Sequence, residues 1–362
     1  MKLFTCTHCG QVLYFENSRC EKCQFPLGFE ATRRQLLPLV PEPDGRTFRL
    51  YNEPESPAYA YCANHEQGVC NWLVPTDSPT PFCPACALNR TIPDLSHPGY
   101  LGRWRSLEAA KHRLVYSLLC LHLPVVSKSV YPKEGLQFDF KADEGTNDSQ
   151  RVLTGHDNGL ITINIAEADD IAREQARQSM NEVYRTVLGH FRHEVGHYYW
   201  DRLIDEAPPL AEFRQLFGDE RADYGEALKR HYAQGAPPDW PQHFISAYAS
   251  SHPWEDWAET WAHYLHILDT LQTANAFGLR LDPLDTSVPA NWHAAMQDPY
   301  QLADFKQIMS MWLPLTFTMN SLNRSMGQPD SYPFIISPAV ADKLAFIHRV
   351  AGGRAGVASR QE

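Results

Sequence analysis

The sequence lacks any long apolar run, and no stretch approaches the roughly eighteen residues needed to cross a bilayer. Its first residues, MKLFTCTHCG, contain no apolar segment of the kind found in secretory signals. Basic residues are also scarce, because 32 Lys and Arg stand against 43 Asp and Glu and the formal net charge is −11. These absences predict a cytoplasmic protein with no membrane segment and no nucleic-acid partner, since such a surface repels phosphate backbones.

Cysteine, in contrast, is well represented, with nine residues in the chain. In a reducing compartment, spaced cysteine pairs more often bind metal than form disulfides. The first cluster has two C-x2-C pairs separated by ten residues, Cys6 with Cys9 and Cys20 with Cys23. Each pair can place two thiolates on one tetrahedral ion, and the residues between the pairs suit a short β-hairpin. This spacing predicts a structural zinc ion in a zinc-ribbon-like module.

A second cluster, less regular, contains Cys62, Cys70, Cys83 and Cys86. It predicts a second structural zinc bound by four cysteines, although a site that uses His65 in place of one of them stays open. Zinc with four protein ligands has no position left for a substrate. Any functional role of this region is therefore expected to be the binding of a protein partner.

The segment with the chemistry of an active site lies in residues 171–204, which are predicted to form one long helix. It contains the pentapeptide His193-Glu194-Val195-Gly196-His197. Two histidines four positions apart project from one helix face and can bind one ion, with the glutamate beside a water on that ion. Glycine inside a helix costs about 1 kcal/mol relative to alanine, so Gly196 indicates a close neighbour, either a strand or the third ligand. The preceding run GLITINIAEA, residues 159–168, is predicted to be an edge strand that pairs with an extended peptide.

A third metal ligand is expected from a second helix, whose N-terminus Ser251 is predicted to cap. Glu255 is the candidate ligand, and Glu259, one turn later, is the candidate that orients a ligating histidine through a hydrogen bond. Glu220 is the alternative third ligand, because it lies 23 positions beyond the second histidine.

With these motifs the chain resembles a bacterial family of zinc-binding metallopeptidases that carry an N-terminal zinc-ribbon region. The resemblance covers almost the whole length and rests on the first cysteine pairs, on HEVGHYYWDRLI and on FISAYASSHPWEDWAETWAHYLHILDTL. The chain is also similar, more distantly, to gluzincins, whose third ligand begins an E-x-x-x-acid pair as Glu255 and Glu259 do. Gluzincins typically have Asn before that glutamate, and Trp254 stands there in this chain. The resemblance implies a reaction class rather than a particular substrate.

The predicted function is hydrolysis of peptide bonds by a metal-activated water, with Glu194 as general base. Tyr248 is the candidate that stabilises the oxyanion. The expected cofactors are one catalytic and two structural zinc ions, and the expected partner is a peptide or protein substrate. Two alternatives stay open: a catalytically silent scaffold that serves as a zinc-ribbon adaptor, and a zinc amidohydrolase that acts on a non-peptide amide.

The predicted fold class is α+β. Tandem zinc-ribbon-like β modules are expected in residues 1–95, with metal sites at 6–23 and 62–86. A mainly helical zincin-type domain with a small mixed sheet is expected in residues 96–350, and residues 351–362 are expected to form a flexible tail.

Overall fold

The computed structural model describes residues 2–143, 152–179, 185–284 and 287–352. It confirms the fold class, because a strand-rich N-terminal region precedes a mostly helical part with a small mixed sheet, and 44% of the chain is helical and 15% strand. By internal contacts the chain divides into two compact units, and the boundary nearest the candidate site lies between Phe191 and Arg192. The predicted domain limits stay predictions, and the predicted tail lies outside the described residues from position 353 onward.

The N-terminal region of the first unit is built from short antiparallel strands. Strands β1, Phe4–Thr5, and β2, Val12–Leu13, form a hairpin, and the first cysteine pair lies in its turn. The hairpin predicted between the two cysteine pairs is therefore wrong, because that span contains β2 but not β1. A five-stranded antiparallel sheet follows, with its strands adjacent in chain order and a core of buried leucines. The strands are β1 Phe4–Thr5, β2 Val12–Leu13, β3 Leu27–Glu30, β4 Gln35–Pro41, β5 Phe48–Leu50, β6 Tyr59–Tyr61 and β7 Leu73–Pro75.

The same unit continues with helix α1, Tyr100–Cys120, and a four-stranded mixed sheet of order β10-β11-β9-β8. The predicted edge strand is wrong, because β11 pairs in parallel with β9 and antiparallel with β10. The side chains of Ile161 and Ile163 are almost completely buried, which suits a central strand rather than an edge. The strands are β8 Asn89–Thr91, β9 Gln137–Lys141, β10 Gly155–Asp157 and β11 Leu160–Asn164.

The long helix expected over residues 171–204 is also wrong, because two helices occupy this span. They are α2, Asp170–Ser179, and α3, Val187–Leu203, and the residues directly before α3 are not helical. The Thr186 hydroxyl oxygen accepts a hydrogen bond from the Gly189 amide at 3.0 Å. A threonine oxygen that accepts from the third amide of a helix in this way is a typical N-terminal cap.

The second unit is mainly helical, and its helix α7, Pro253–Ala276, has Trp257 and Trp261 fully buried. The predicted cap at Ser251 is wrong by one residue, because His252 Nδ1 accepts the Trp254 amide at 3.1 Å. No helix in the described part of the chain combines the length and the apolar character needed to cross a membrane. The elements are α4 Leu210–Phe217, α5 Tyr224–Gln234, α6 Trp240–His243, α7 Pro253–Ala276, β12 Arg280–Leu281, β13 Ala294–Ala295, α8 Phe305–Ser325 and α9 Pro338–Gly352.

Candidate metal centre

Helices α3 and α7 position the candidate ligands, and the two helices pack closely at Gly196. A Cβ at this position would lie 3.1 Å from the Cα of Ala258 and 3.3 Å from the Cβ of Trp261. The indole N–H of Trp257 donates to the Gly196 carbonyl oxygen at 2.8 Å. The glycine therefore allows close helix packing, and the close neighbour is α7 rather than a strand.

His193, His197 and Glu255 come together where these helices meet. His193 Nε2 lies 3.3 Å from His197 Nε2 and 3.0 Å from Glu255 Oε2, and His197 Nε2 lies 3.6 Å from Glu255 Oε1. Nitrogen and oxygen ligands at about 2.0–2.2 Å from a tetrahedral zinc are roughly 3.3–3.5 Å apart. The three side chains thus have the spacing of three corners of a tetrahedral zinc site.

The hydrogen-bond pattern leaves electron pairs facing one another at this point. His193 Nδ1 lies 2.7 Å from Glu259 Oε1, so the hydrogen on Nδ1 is donated to that carboxylate, and in the neutral imidazole a lone pair of Nε2 faces Glu255. Glu255 Oε2 is buried and has no hydrogen-bond partner among the described residues. Two lone pairs at this distance repel each other unless a positive charge lies between them, and a metal ion would bind both atoms and His197 as well.

The electrostatics of His193 and Glu255 also favour a positive charge between these two side chains. Burial opposes the charged form of His193, but the neighbouring carboxylates of Glu255 and Glu259 raise its pKa well above the ordinary value. Burial likewise opposes ionisation of Glu255, yet the neighbouring His197 and His193 hold its pKa well below the ordinary value. A buried carboxylate that stays ionised beside two imidazoles is a suitable donor for a divalent cation.

Two side chains that the sequence analysis missed hold the carboxylates in place. The Tyr224 hydroxyl donates to Glu255 Oε1 at 2.7 Å, and the Ser246 hydroxyl donates to Glu259 Oε2 at 2.7 Å. Tyr224 precedes Glu255 by 31 residues and Ser246 precedes Glu259 by 13 residues. Neither spacing forms a local motif, so only the folded chain reveals these contacts.

The remaining catalytic candidates lie beside this group. The Tyr248 ring is centred 6.1 Å from the His193 ring, and burial together with the charge of Glu255 raises the Tyr248 pKa. Tyr248 therefore stays a neutral phenol that can donate a hydrogen bond. Glu194 is half-buried on α3. The pKa of Tyr224 is raised mainly by burial and by the charge of Glu255, and the charge of Glu194 raises it further.

Glu220, the alternative third ligand, is not brought to the two histidines. Its carboxylate pairs with the guanidinium of Arg214, whose Nε donates to Glu220 Oε2 at 3.0 Å. This hydrogen bond lowers the pKa of Glu220 despite its burial. Glu220 therefore has a structural partner, and Glu255 is the acid that joins the histidines.

The eight clustered cysteines form two groups, each with four sulfurs within 4.8 Å of one another. Thiolates at about 2.3 Å from a tetrahedral zinc are roughly 3.8 Å apart. The sulfurs of Cys6 and Cys23 are 3.7 Å apart, and those of Cys70 and Cys83 are 3.8 Å apart. His65 is not among the donor atoms that come together in the second group. Its Nδ1 lies 2.7 Å from the Cys70 carbonyl oxygen, and its ring stacks on that of Tyr61. Both groups fit a zinc ion.

Comparison with known proteins agrees with this chemistry. Residues 100–350 match the model of a family described as "Putative zinc-binding metallo-peptidase", and residues 3–97 match a zinc-ribbon domain. The chain belongs to this metallopeptidase family. It is 43% identical over 351 residues to proteins of Mycobacterium tuberculosis and Mycobacterium bovis, which are named only as uncharacterized, with 97% of this chain and 95% of each relative covered. No solved structure matches the chain significantly. The metallopeptidase match includes His193, His197 and Glu255, and the zinc-ribbon match includes both cysteine groups.

Proposed function

We propose that the protein is a zinc-dependent peptidase in which His193, His197 and Glu255 hold the catalytic ion. The observation that carries this proposal is the group of three donor atoms within 4.8 Å of one another, together with a buried carboxylate oxygen of Glu255 that has no hydrogen-bond partner among the described residues. Membership of the metallopeptidase family supports the same reaction class. The substrate is a peptide or a protein.

The chemistry of the site is divided between the ion and the protein. A zinc ion at this position would polarise the scissile carbonyl and lower the pKa of a bound water. Glu194, which lies on α3 between the two histidines, accepts the proton of the attacking water and passes it to the leaving amine. Tyr248 donates a hydrogen bond to the oxygen on which negative charge develops.

Supporting side chains set the geometry of the ligands. Glu259 accepts the Nδ1 hydrogen of His193, which fixes the tautomer that presents Nε2 to the ion, and Ser246 holds Glu259 in turn. Tyr224 occupies Oε1 of Glu255 and leaves Oε2 for the metal. The ligand set is therefore oriented before the ion binds.

The two cysteine groups are assigned structural zinc ions, for a total of three per chain. With all four positions of each ion filled by thiolates, these modules stabilise the fold and offer a surface to a protein partner. Zinc thiolates persist in a reducing environment, which supports a cytoplasmic location.

The test is the Glu194→Gln variant, assayed on a broad peptide library beside the wild type. It should keep three zinc ions and the wild-type melting temperature and lose at least about 100-fold in cleavage rate. Glu226→Gln, at an exposed glutamate that pairs with Lys229, is the matched control and should cleave normally.

Three outcomes would refute the proposal. If Glu194→Gln cleaves like the wild type, Glu194 is not the general base. A wild-type protein with three zinc ions that cleaves no peptide would instead indicate an adaptor, and cleavage of small amides alone would indicate an amidohydrolase.

A further inference from the structure

The second cysteine group has a fifth potential zinc donor, His112 on α1. Its Nε2 lies 3.3 Å from the sulfur of Cys70, 3.7 Å from that of Cys86 and 4.0 Å from that of Cys83. In a tetrahedral zinc site a nitrogen and a sulfur ligand are roughly 3.6 Å apart. The imidazole nitrogen therefore has ligand spacing to three of the four sulfurs.

The orientation of the His112 ring is that of a metal ligand. Nδ1 lies 2.6 Å from the backbone carbonyl oxygen of Glu108, which can only accept, so Nδ1 has the hydrogen and the neutral form of the ring has its lone pair at Nε2. Zinc-bound histidines commonly donate their other N–H to a carbonyl or carboxylate in this way. The side chain is also buried, with 4% of its surface exposed.

A buried polar network fixes the turn of α1 that presents His112. The carboxylate of Glu108 accepts hydrogen bonds from Lys111 at 2.8 Å, from Trp104 at 3.1 Å and from Asn89 at 2.7 Å. Glu108 and Lys111 are fully buried. The imidazole is therefore held toward the sulfurs by the rest of the helix.

Cys62 belongs to the same group, and its sulfur also lies near those of Cys70, Cys83 and Cys86. Two donors, Cys62 Sγ and His112 Nε2, thus adjoin one set of three thiolates. Structural zinc takes four ligands, so these two donors compete for one position. We propose that this centre has five protein donors, and that His112 replaces Cys62 as the fourth zinc ligand whenever Cys62 is detached.

The first cysteine group has a different neighbourhood, which provides a control. Its nearest histidine in sequence, His8, stacks on the ring of Phe25 with 4.4 Å between centroids. Loss of one cysteine should therefore release the ion from the first centre and not from the second. His112 lies in the region that matches the metallopeptidase family. The fifth donor of the second centre is therefore outside the zinc-ribbon match.

The experiment uses the full chain loaded with cobalt in place of zinc, because cobalt absorption distinguishes bound thiolates from nitrogen ligands. Cys62→Ala should keep the full metal content and show a tetrahedral spectrum with one thiolate fewer than the wild type. Cys62→Ala combined with His112→Gln, which keeps an N–H donor but cannot replace the imidazole ligand, should lose one metal ion per chain. Cys6→Ala, at the first centre, should lose one ion although His112 is intact.

If Cys62→Ala alone loses as much metal as the double variant, the proposal is overturned, and His112 then acts only as a hydrogen-bond donor to the sulfurs. If Cys62→Ala does not fold, the single variant His112→Gln tests the proposal instead. The measured quantity is then the rate at which a chelator removes zinc from the second centre. The proposal predicts a rate at least about tenfold higher than in the wild type, because no donor captures the ion when Cys62 leaves. An unchanged rate would refute it.

Discussion

The substitution Gly196→Ala tests how closely the two ligand-bearing helices must pack. In an unconstrained helix, alanine in place of glycine stabilises by about 1 kcal/mol. Here the added carbon would lie 3.1 Å from the Cα of Ala258 and 3.3 Å from the Cβ of Trp261. Carbon atoms pack best at about 3.5–4.0 Å, and a backbone atom cannot rotate away, so the helices must separate by a few tenths of an ångström. Such overpacking costs about 1–3 kcal/mol, so the net loss of stability should be about 0–2 kcal/mol.

The separation of the helices should affect metal binding more than folding. His193 and His197 lie on α3 and Glu255 on α7, so any shift changes the spacing of the ligand atoms. Loss of correct ligand orientation typically lowers metal affinity by about 10–100-fold. Gly196→Ala should therefore weaken the binding of one zinc ion by this factor while the two cysteine centres keep theirs.

The assay is a zinc-competition titration together with thermal unfolding of each variant. Gly102→Ala on α1 is the matched control, because no described atom other than those of the adjacent residues and the nearby backbone of α1 lies within 4 Å of its added Cβ. This control should be as stable as the wild type or up to about 1 kcal/mol more stable. If Gly196→Ala is also stabilised and binds three zinc ions with unchanged affinity, the packing argument is wrong.

The remaining predictions concern the ligands and one buried ion pair. Glu255→Gln should lose one zinc ion per chain, whereas Glu220→Gln should lose none, as measured by metal analysis. Tyr224→Phe should fold normally but bind the catalytic zinc about 10–100-fold more weakly, because Glu255 loses the donor that orients it. Lys343→Met should destabilise the protein by about 3–5 kcal/mol in urea unfolding, because it leaves the buried Asp256 carboxylate without its partner, which lies 2.6 Å away.

Controls and contrary results for these variants follow from the same contacts. Lys229→Met, at an exposed pair with Glu226, should change stability by less than about 0.5 kcal/mol. Zinc loss in Glu220→Gln would reinstate the alternative ligand, and wild-type affinity in Tyr224→Phe would exclude Tyr224 as a positioning residue. A loss below about 1 kcal/mol in Lys343→Met would show that Asp256 is accommodated without the lysine.

Sequence spacing predicted the parts of the molecule that depend on local geometry. The four-residue separation of His193 and His197 follows from one helical turn, and the spacing of the cysteine pairs follows from tight turns around an ion. The α+β class was likewise readable from composition and motifs. Glu255 could be proposed because it starts an acidic pair on a recognisable helix.

Features that depend on distant partners could not be predicted in the same way. Tyr224 and His112 reach their sites across 31 and 42 residues, and each looks like an ordinary helical residue in the sequence. The run around Ile161 resembles an edge strand until its second pairing partner is known. The non-helical residues directly before α3 include Thr186, whose hydroxyl oxygen accepts a hydrogen bond from the Gly189 amide, and helical periodicity does not reveal such a contact.

The central claim is that one ion is bound between α3 and α7. Anomalous diffraction at the zinc edge, recorded from crystals of the wild-type protein, tests it most directly. The account predicts three zinc peaks, one at each cysteine group and one within bonding distance of His193 Nε2, His197 Nε2 and the Glu255 carboxylate. Two peaks at the cysteine groups, with none between the histidines, would contradict it.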